Sequence, residues 1–212
     1  MLAYADLHLK KDKNTHMSLT NLSPGKLKIL QAVATLLENP SEKVTISKIA
    51  DVVGVTDAAI YRHYSSKEDI FNALYLYMES NFLSPLTTVQ ESESATDERM
   101  SVVFDKFLDF FYGHPGLARL FLGHGSSGFP GAPEKLKLLH AKVRAQLAQI
   151  LRYGQAKGET AKLEPEQAVE LFFGLIASAA LAQVYGFAQV DQAQRWQAFA
   201  QAVFNVQQQS AA

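Results

Sequence analysis

Tyr61, Arg62 and His63 stand side by side, and Lys67 follows shortly after. A phenol, a guanidinium, an imidazole and an ammonium so close together form a set of hydrogen-bond donors. They suit anionic or base-edge acceptors better than bond-making chemistry. Two small residues, Ala58 and Ala59, precede them, and Thr45 and Thr56 add hydroxyls nearby. A short helix that exposes small side chains and then these polar tips can enter a DNA major groove without colliding with the base edges. Other chemistries find little support. The chain has no cysteine, which excludes disulfides, thiolate catalysis and cysteine-held metal. Its histidines, at 8, 16, 63, 114, 124 and 140, lack metal-ligand spacing. No nucleophile with a base and no paired carboxylates stand out, so the reading is of a non-enzyme with no catalytic residue, no metal and no cofactor.

The elements that hold these residues follow from the flanking pattern. Ile46, Ile49, Ala50 and Val53 give one apolar helical stripe, with Thr45 placed to cap it. Gly54 ends that helix in a left-handed turn, and Val55 is expected to plug the gap behind it. Thr56 or Asp57 then caps a very short helix of Ala58 to Tyr64, with Ile60 and Tyr64 turned to the core and Ala58, Ala59, Tyr61, Arg62 and His63 outward. A resting place on neighbouring side chains is the other reading of Tyr61 and His63. Ser65 with Glu68 fits a capping box for the next helix. Lys67 in its first turn opposes the helix dipole, a conflict that a bound phosphate would resolve.

Thr45-x-x-x-Ile49-Ala50, Gly54-Val55-Thr56, Ile60-Tyr61-x-His63-Tyr64 and Ser66-Lys67-Glu68-x-Ile70-Phe71 together resemble the helix-turn-helix of the TetR family of transcriptional regulators. The resemblance implies that Thr45, Thr56, Tyr61, His63 and Lys67 bind phosphates and that Ala58, Ala59 and Arg62 face base edges. It also implies a two-fold dimer formed by the last two helices, a near-palindromic operator on double-stranded DNA, a repressor's role, and a ligand cavity among the middle helices. His114-Pro115-Gly116-Leu117-x-Arg119-Leu120 and Gly123-His124, with Tyr61-Arg62-His63 upstream, further resemble the nucleoid occlusion factors of that family. That likeness implies a DNA-bound regulator of cell division acting through a protein partner.

With 212 residues, 48% of them apolar, the chain can bury a substantial core. Its formal charge is −1; residues 1 to 72 carry nine Lys plus Arg against eight Asp plus Glu. DNA affinity must therefore rest on a few placed cations, hydroxyls and helix N-termini rather than on a broad basic face. No apolar run is read as membrane-spanning and no signal-peptide core is seen, so the expected place is the cytoplasm, with no membrane partner.

Along the chain, residues 1–23 are expected to be a flexible leader, or else a groove-binding arm through Lys10, Lys11 and Lys13. Residues 24–71 form the helix-turn-helix domain, braced by a helix with Leu27, Leu30, Val33, Ala34 and Leu37 and entered at Ser23-Pro24. Residues 72–212 form a larger helical regulatory and dimerisation domain. The linking helix from Asp69 is expected to reach about Leu83 and to kink or end at Pro85, before a polar loop over 90–98. An aromatic set of Phe104, Phe107, Phe111, Phe121, Phe172 and Phe173 either packs as core or lines a pocket for a small apolar effector. The segment Gly123 to Pro133 is a loop without the features of a phosphate-binding loop. The run from Pro165 to Tyr185 is apolar almost all round, so a second copy of the chain is its natural cover. Gly174, Ala177, Ser178 and Leu181 would let the two copies approach closely, and Trp196, Phe199 and Val203 of the last helix would complete a four-helix interface. No strand pattern of useful length occurs, and the fold class is all-α.

Overall fold

The computed structural model describes residues 22–125, 129–159, 162–187 and 191–204. Within them run α1 (Pro24–Glu38), α2 (Ile46–Val53), α3 (Asp57–Tyr61), α4 (Lys67–Gln90), α5 (Thr96–Gly113), α6 (Pro115–Phe121), α7 (Ala132–Ala156), α8 (Pro165–Tyr185) and α9 (Gln192–Val203). Among the described residues the only non-helical pairing is an isolated bridge at Phe204. The fold is all-α. Most of the expected leader, residues 1–21, lies outside the described residues. Its end does not hang free: Leu22 packs on the core, and the Ser23 hydroxyl accepts the Lys26 amide to cap α1.

Side-chain caps open the short helices as their sequences suggest. Thr45 Oγ1 accepts the Lys48 amide at 3.2 Å and Thr56 Oγ1 accepts the Ala59 amide at 3.4 Å. Between them Gly54 has φ 78°, and the amides of Gly54 and Val55 both donate to the Ala50 carbonyl. This geometry needs a residue without Cβ. It corrects the reading of Val55, which is 43% exposed. The Val55 amide closes the turn while its side chain faces solvent, and Ile49 and Ile60, both fully buried, fill the space between the helices. The cap of α4 is also one residue later than expected. Ser66, not Ser65, accepts the Asp69 amide at 3.0 Å, which puts Glu68 too early in the helix to close a capping box.

α4 runs unbroken through Pro85 to Gln90, past the end expected near Leu83. A proline inside a helix deprives the carbonyl four residues back of its donor, a loss of about 3 kcal/mol. Here the apolar face on either side of it, Phe82, Leu86 and Val89, is buried at 5% exposure or less and holds the helix in line. Burying each such side chain stabilises by about 1.5–3 kcal/mol, enough in sum to outweigh the proline.

The division expected at residues 71 and 72 falls inside α4, and the core is continuous across it. α6 packs along α1, α4 lies against α5 and α7, and α8 is wedged between α5, α6 and α7. The contact between α1 and α6 is made by backbone. A Cβ on Gly116 would lie 1.9 Å from the Ala34 carbonyl oxygen, so only glycine permits this approach. The neighbouring His114 ring meets the Tyr77 hydroxyl at 2.6 Å, tying the start of α6 to α4. Burial holds the Tyr77 phenol protonated, its pKa raised to about 12.

α8 begins with a capping box between Glu164 and Gln167 and ends at Gly186. By length and composition it could cross a membrane, with a mean hydropathy of 1.6 over its best window, which corrects the expectation that no run qualifies. Its setting accounts for that composition: Val169, Phe172, Phe173, Ile176 and Ala180 are buried within the subunit. The opposite side, Leu171, Gly174, Ser178, Leu181 and Tyr185, is exposed at helical spacing. In α9, Phe199 and Val203 are 6% and 0% exposed, and Phe199 packs on Phe172 and Phe204. These two side chains belong to the subunit's own core, which corrects their assignment to an interface between copies. Trp196 is half-buried, its ring tilted against those of Phe104 and Phe199.

Candidate nucleic-acid interface

The outward surface of α2, α3 and the following turn gathers the polar side chains singled out in the sequence. Thr45, Thr56, Ala58, Tyr61, Arg62 and His63 are exposed, while Ala59 and Lys67 are half-buried. α3 is shorter than expected and stops at Tyr61. Arg62, still right-handed at φ −67°, caps it, and His63 follows in the turn before buried Tyr64. The ring of Tyr61 is 51% exposed and serves no core.

Local chemistry separates these groups by what each can offer. The hydroxyl oxygens of Thr45 and Thr56 accept backbone amides, which leaves each O–H to donate outward, as a phosphate oxygen requires. His63 leans over the start of α1: a Cβ on Gly25 would stand 2.5 Å from its ring. The glycine at this point in α1 leaves room for the Cε1–Nε2 edge of the imidazole close to the backbone, while His63 as a whole stays exposed. Tyr64 anchors the turn from inside, its phenol pushed up to about 12 by burial and its ring beneath the Lys26 ammonium at 5.3 Å.

Lys67 differs from the sequence reading in one respect. Its Nζ sits 4.7 Å from the centre of the Phe129 ring, and Phe129 stacks on Phe71 at 4.8 Å. Desolvation there lowers the ammonium's pKa from its ordinary value. The cation thus rests on an aromatic face from the loop before α7, a contact about 0.5–2 kcal/mol strong, and meets the helix-dipole conflict partly in that way. The spacing of residues carried no hint of Phe129, because the partner lies on a distant loop.

The aromatic set of the larger part forms a packed cluster. Phe107 and Phe111 flank Phe82, Phe104 and Phe107 meet Phe172 edge-on, and Phe121 stacks with Phe173 at centroid distances of 4.7–6.4 Å. All six are at most 6% exposed. Of the six, Phe121 alone lines the groove of about 530 Å³ that runs beside Leu136, Lys137, His140 and Arg144. Among the described residues no cluster of His, Asp or Glu could hold a metal.

Two structural residues escaped the sequence reading. Gly116 could have been found from its place within the His-Pro-Gly run, since a glycine inside a short helix demands a packing reason. Arg99 falls on the same helical face as Met100, Val103 and Phe107 and is 2% exposed. A charge at an apolar position of the periodic pattern was its signal.

Comparison with known proteins converges on one family. Residues 29–74 match the family model described as bacterial regulatory proteins, tetR family. The nucleoid occlusion factor SlmA of Sodalis glossinidius is 33% identical over 157 residues, covering 73% of this chain and 76% of that protein. SlmA of Shewanella baltica is 37% identical over 129 residues, covering 58% of this chain and 64%, just under two thirds, of that protein. Among solved structures, the fatty acid degradation regulator FadR of Bacillus halodurans superposes with a TM-score of 0.69 at 18% identity, over 84% of this chain and 94% of that one. The transcriptional regulator FadR of Bacillus subtilis, solved in complex with stearoyl-CoA, gives a TM-score of 0.66 at 21% identity, over 82% and 95%.

Proposed function

The chain belongs to the TetR family of bacterial regulatory proteins, and on that premise we propose that it is a cytoplasmic, sequence-specific DNA-binding transcriptional regulator acting as a homodimer. One observation carries the reading. The short helix α3 presents Ala58, Tyr61, Arg62 and His63 to solvent together with the free O–H groups of Thr45 and Thr56, and no packing role accounts for the exposed guanidinium or phenol. Arg62 and the two alanines face base edges, and Thr45, Thr56, Tyr61, His63 and Lys67 set register on phosphates. Two copies lay their α3 helices into successive major grooves about one helical turn apart on a near-palindromic site. The exposed stripe Leu171, Gly174, Ser178 and Leu181, with half-buried Ala177 and Trp196, supplies the dimer face.

The role is that of a repressor, released by an effector in the larger part. A small apolar effector would have to part the packed rings around Phe107, so such release is coupled to repacking of the core. A second reading follows from the curated relatives: a DNA-bound regulator of cell division working through a protein partner.

Selection of bound fragments from genomic DNA, followed by anisotropy titration, tests both. Arg62→Ala removes one base contact in each half-site, about 1–3 kcal/mol apiece, and should weaken binding to the selected site by about thirtyfold or more, with the melting temperature unchanged. Equal affinity of the variant and the parent for that site would sink the DNA-reading proposal. Sites beside a few genes favour the repressor; sites dispersed over the chromosome favour the cell-division reading.

A further inference from the structure

The C-terminal end of α4, the start of α5 and the end of α7 border a half-open cavity of about 500 Å³ lined by Gln90, Arg99, Gln149, Ile150, Arg152 and Tyr153. It lies a full α4 length, about 36 Å, from the helix-turn-helix end of that helix. Five of its six lining side chains are polar, and two carry guanidinium groups.

Arg99 is the unusual member. At 2% exposure it is among the largest fully buried side chains, and a guanidinium cannot escape burial by losing its proton. Its Nη2 donates to Thr96 Oγ1 at 2.7 Å, and the same atom stands 3.8 Å from Glu159 Oε1, beyond hydrogen-bond length. The other Glu159 oxygen is committed to the Thr96 amide at 2.7 Å. Nε and Nη1 of Arg99 are buried with no partner among the described residues, and the Gln90 amide nitrogen, which lines the same cavity, is in the same condition. Unmet donors on a buried cation carry a steep desolvation cost. The helices are closely packed here: a Cβ on Gly154 would come within 2.1 Å of Thr96 Oγ1, so α5 and α7 are pressed together where Thr96 and Arg99 sit. The Tyr153 ring lies 5.3 Å from the Arg99 guanidinium carbon. Arg152, paired with exposed Glu166, brings the second cation to the rim.

We propose that this cavity binds a small polar oxyanion, a carboxylate or a phosphate monoester, with Arg99 as its anchor. A planar guanidinium offering two parallel N–H groups matches either head group. Arg152 adds charge at the mouth, and the amides of Gln90 and Gln149 suit hydroxyl or carbonyl groups on the rest of the ligand. An apolar molecule would leave every one of these donors unmet. The ligand class therefore differs from the apolar effector considered for the aromatic cluster, and the site stands whether or not the chain reads DNA.

Calorimetric titration of the full chain at fixed ionic strength with glucose 6-phosphate, and separately with succinate, tests the site on the protein alone. Saturable binding of at least one, with Kd between about 1 μM and 1 mM, is expected, and the arm that binds identifies the head group. Arg99→Lys keeps the charge but removes the fork and should weaken binding at least tenfold. Arg152→Gln alters an exposed side chain and should also weaken binding while leaving the ligand-free melting temperature unchanged. Absence of saturable binding by both compounds up to about 10 mM overturns the proposal. So does binding that remains as tight in the variants. If Arg99→Lys does not fold, Arg152→Gln and Gln149→Ala decide the outcome by the same criterion.

Discussion

The imidazole of His140 is half-buried on α7, with Nε2–H donating to the Phe121 carbonyl at 3.0 Å and the ring 4.5 Å from that of Phe121. Burial holds its pKa below the ordinary 6.5, the carbonyl bond works the other way, and the nearby Arg144 adds to the lowering. Because the folded value lies below the unfolded one, the unfolded chain binds more protons as the pH falls past 6.5. The stabilisation is complete above that pH and is lost as the pH drops through the folded value. Thermal melts between about pH 7.5 and 5 should therefore show a declining melting temperature, and His140→Gln, whose amide can donate the same bond, should flatten part of the decline. A variant that melts with the parent's full pH dependence would rule His140 out as its source. At this scale the sequence was informative where a side chain acts through its own neighbours. Thr45 and Thr56 were readable as caps and Tyr61 and Arg62 as exposed, since each depends on spacing within one short helix. The surroundings of Lys67 and Arg99 were not readable, because Phe129 and Glu159 come from segments about 60 residues away, beyond any local period.

Between elements, the tightest joint is that of α6 on α1. Gly116→Ala drives a methyl group into the Ala34 carbonyl, and a backbone oxygen cannot swing aside as a side chain can. The variant should lose about 3 kcal/mol or more by denaturant titration, whereas Gly113→Ala, one turn away with open space around it, should stay close to the parent. Equal stability of the two would refute the close approach. On α8 the contrast lies between faces. A Cβ at Gly174 meets nothing within 4 Å, so added bulk there spares the subunit. Leu181→Asp and Gly174→Leu should each shift sedimentation toward monomer with little change in helical content, and a persistent dimer would remove this face from the interface. α1 to α4, α8 and α9 were legible as helices; helix ends were less so. Pro85 predicted a stop from local stereochemistry, and the buried side chains on either side overrode it. The apolar periodicity of α9 named its buried residues correctly but could not say whether their cover was the same chain or a second copy, and Phe199 and Val203 proved to face inward.

For the molecule as a whole, the formal charge of −1 sets the electrostatics of any DNA complex. With Arg62 on a base edge and half-buried Lys67 as the cation assigned to phosphate in each reading head, a dimer would neutralise about two phosphates, and the logarithm of affinity should fall with the logarithm of salt with slope about −2. A slope steeper by about five would bring Lys10, Lys11 and Lys13 into contact with the backbone; no salt dependence at all would contradict phosphate contact altogether. The all-helical plan was visible in the sequence from apolar period and glycine punctuation. The continuity of the core across α4, with α6 pressed on α1, was not, since it depends on which helices meet rather than on how each is written. One further property follows from Trp196. The chain has a single tryptophan, held half-buried between Phe104 and Phe199 at the edge of the face that the paired copies would share. Its intrinsic fluorescence therefore comes from one place only. Dissociation of the pair would uncover the outer part of that indole, leaving it half-buried as in the single subunit, and shift its emission to the red, so subunit exchange can be followed optically in the unlabelled protein.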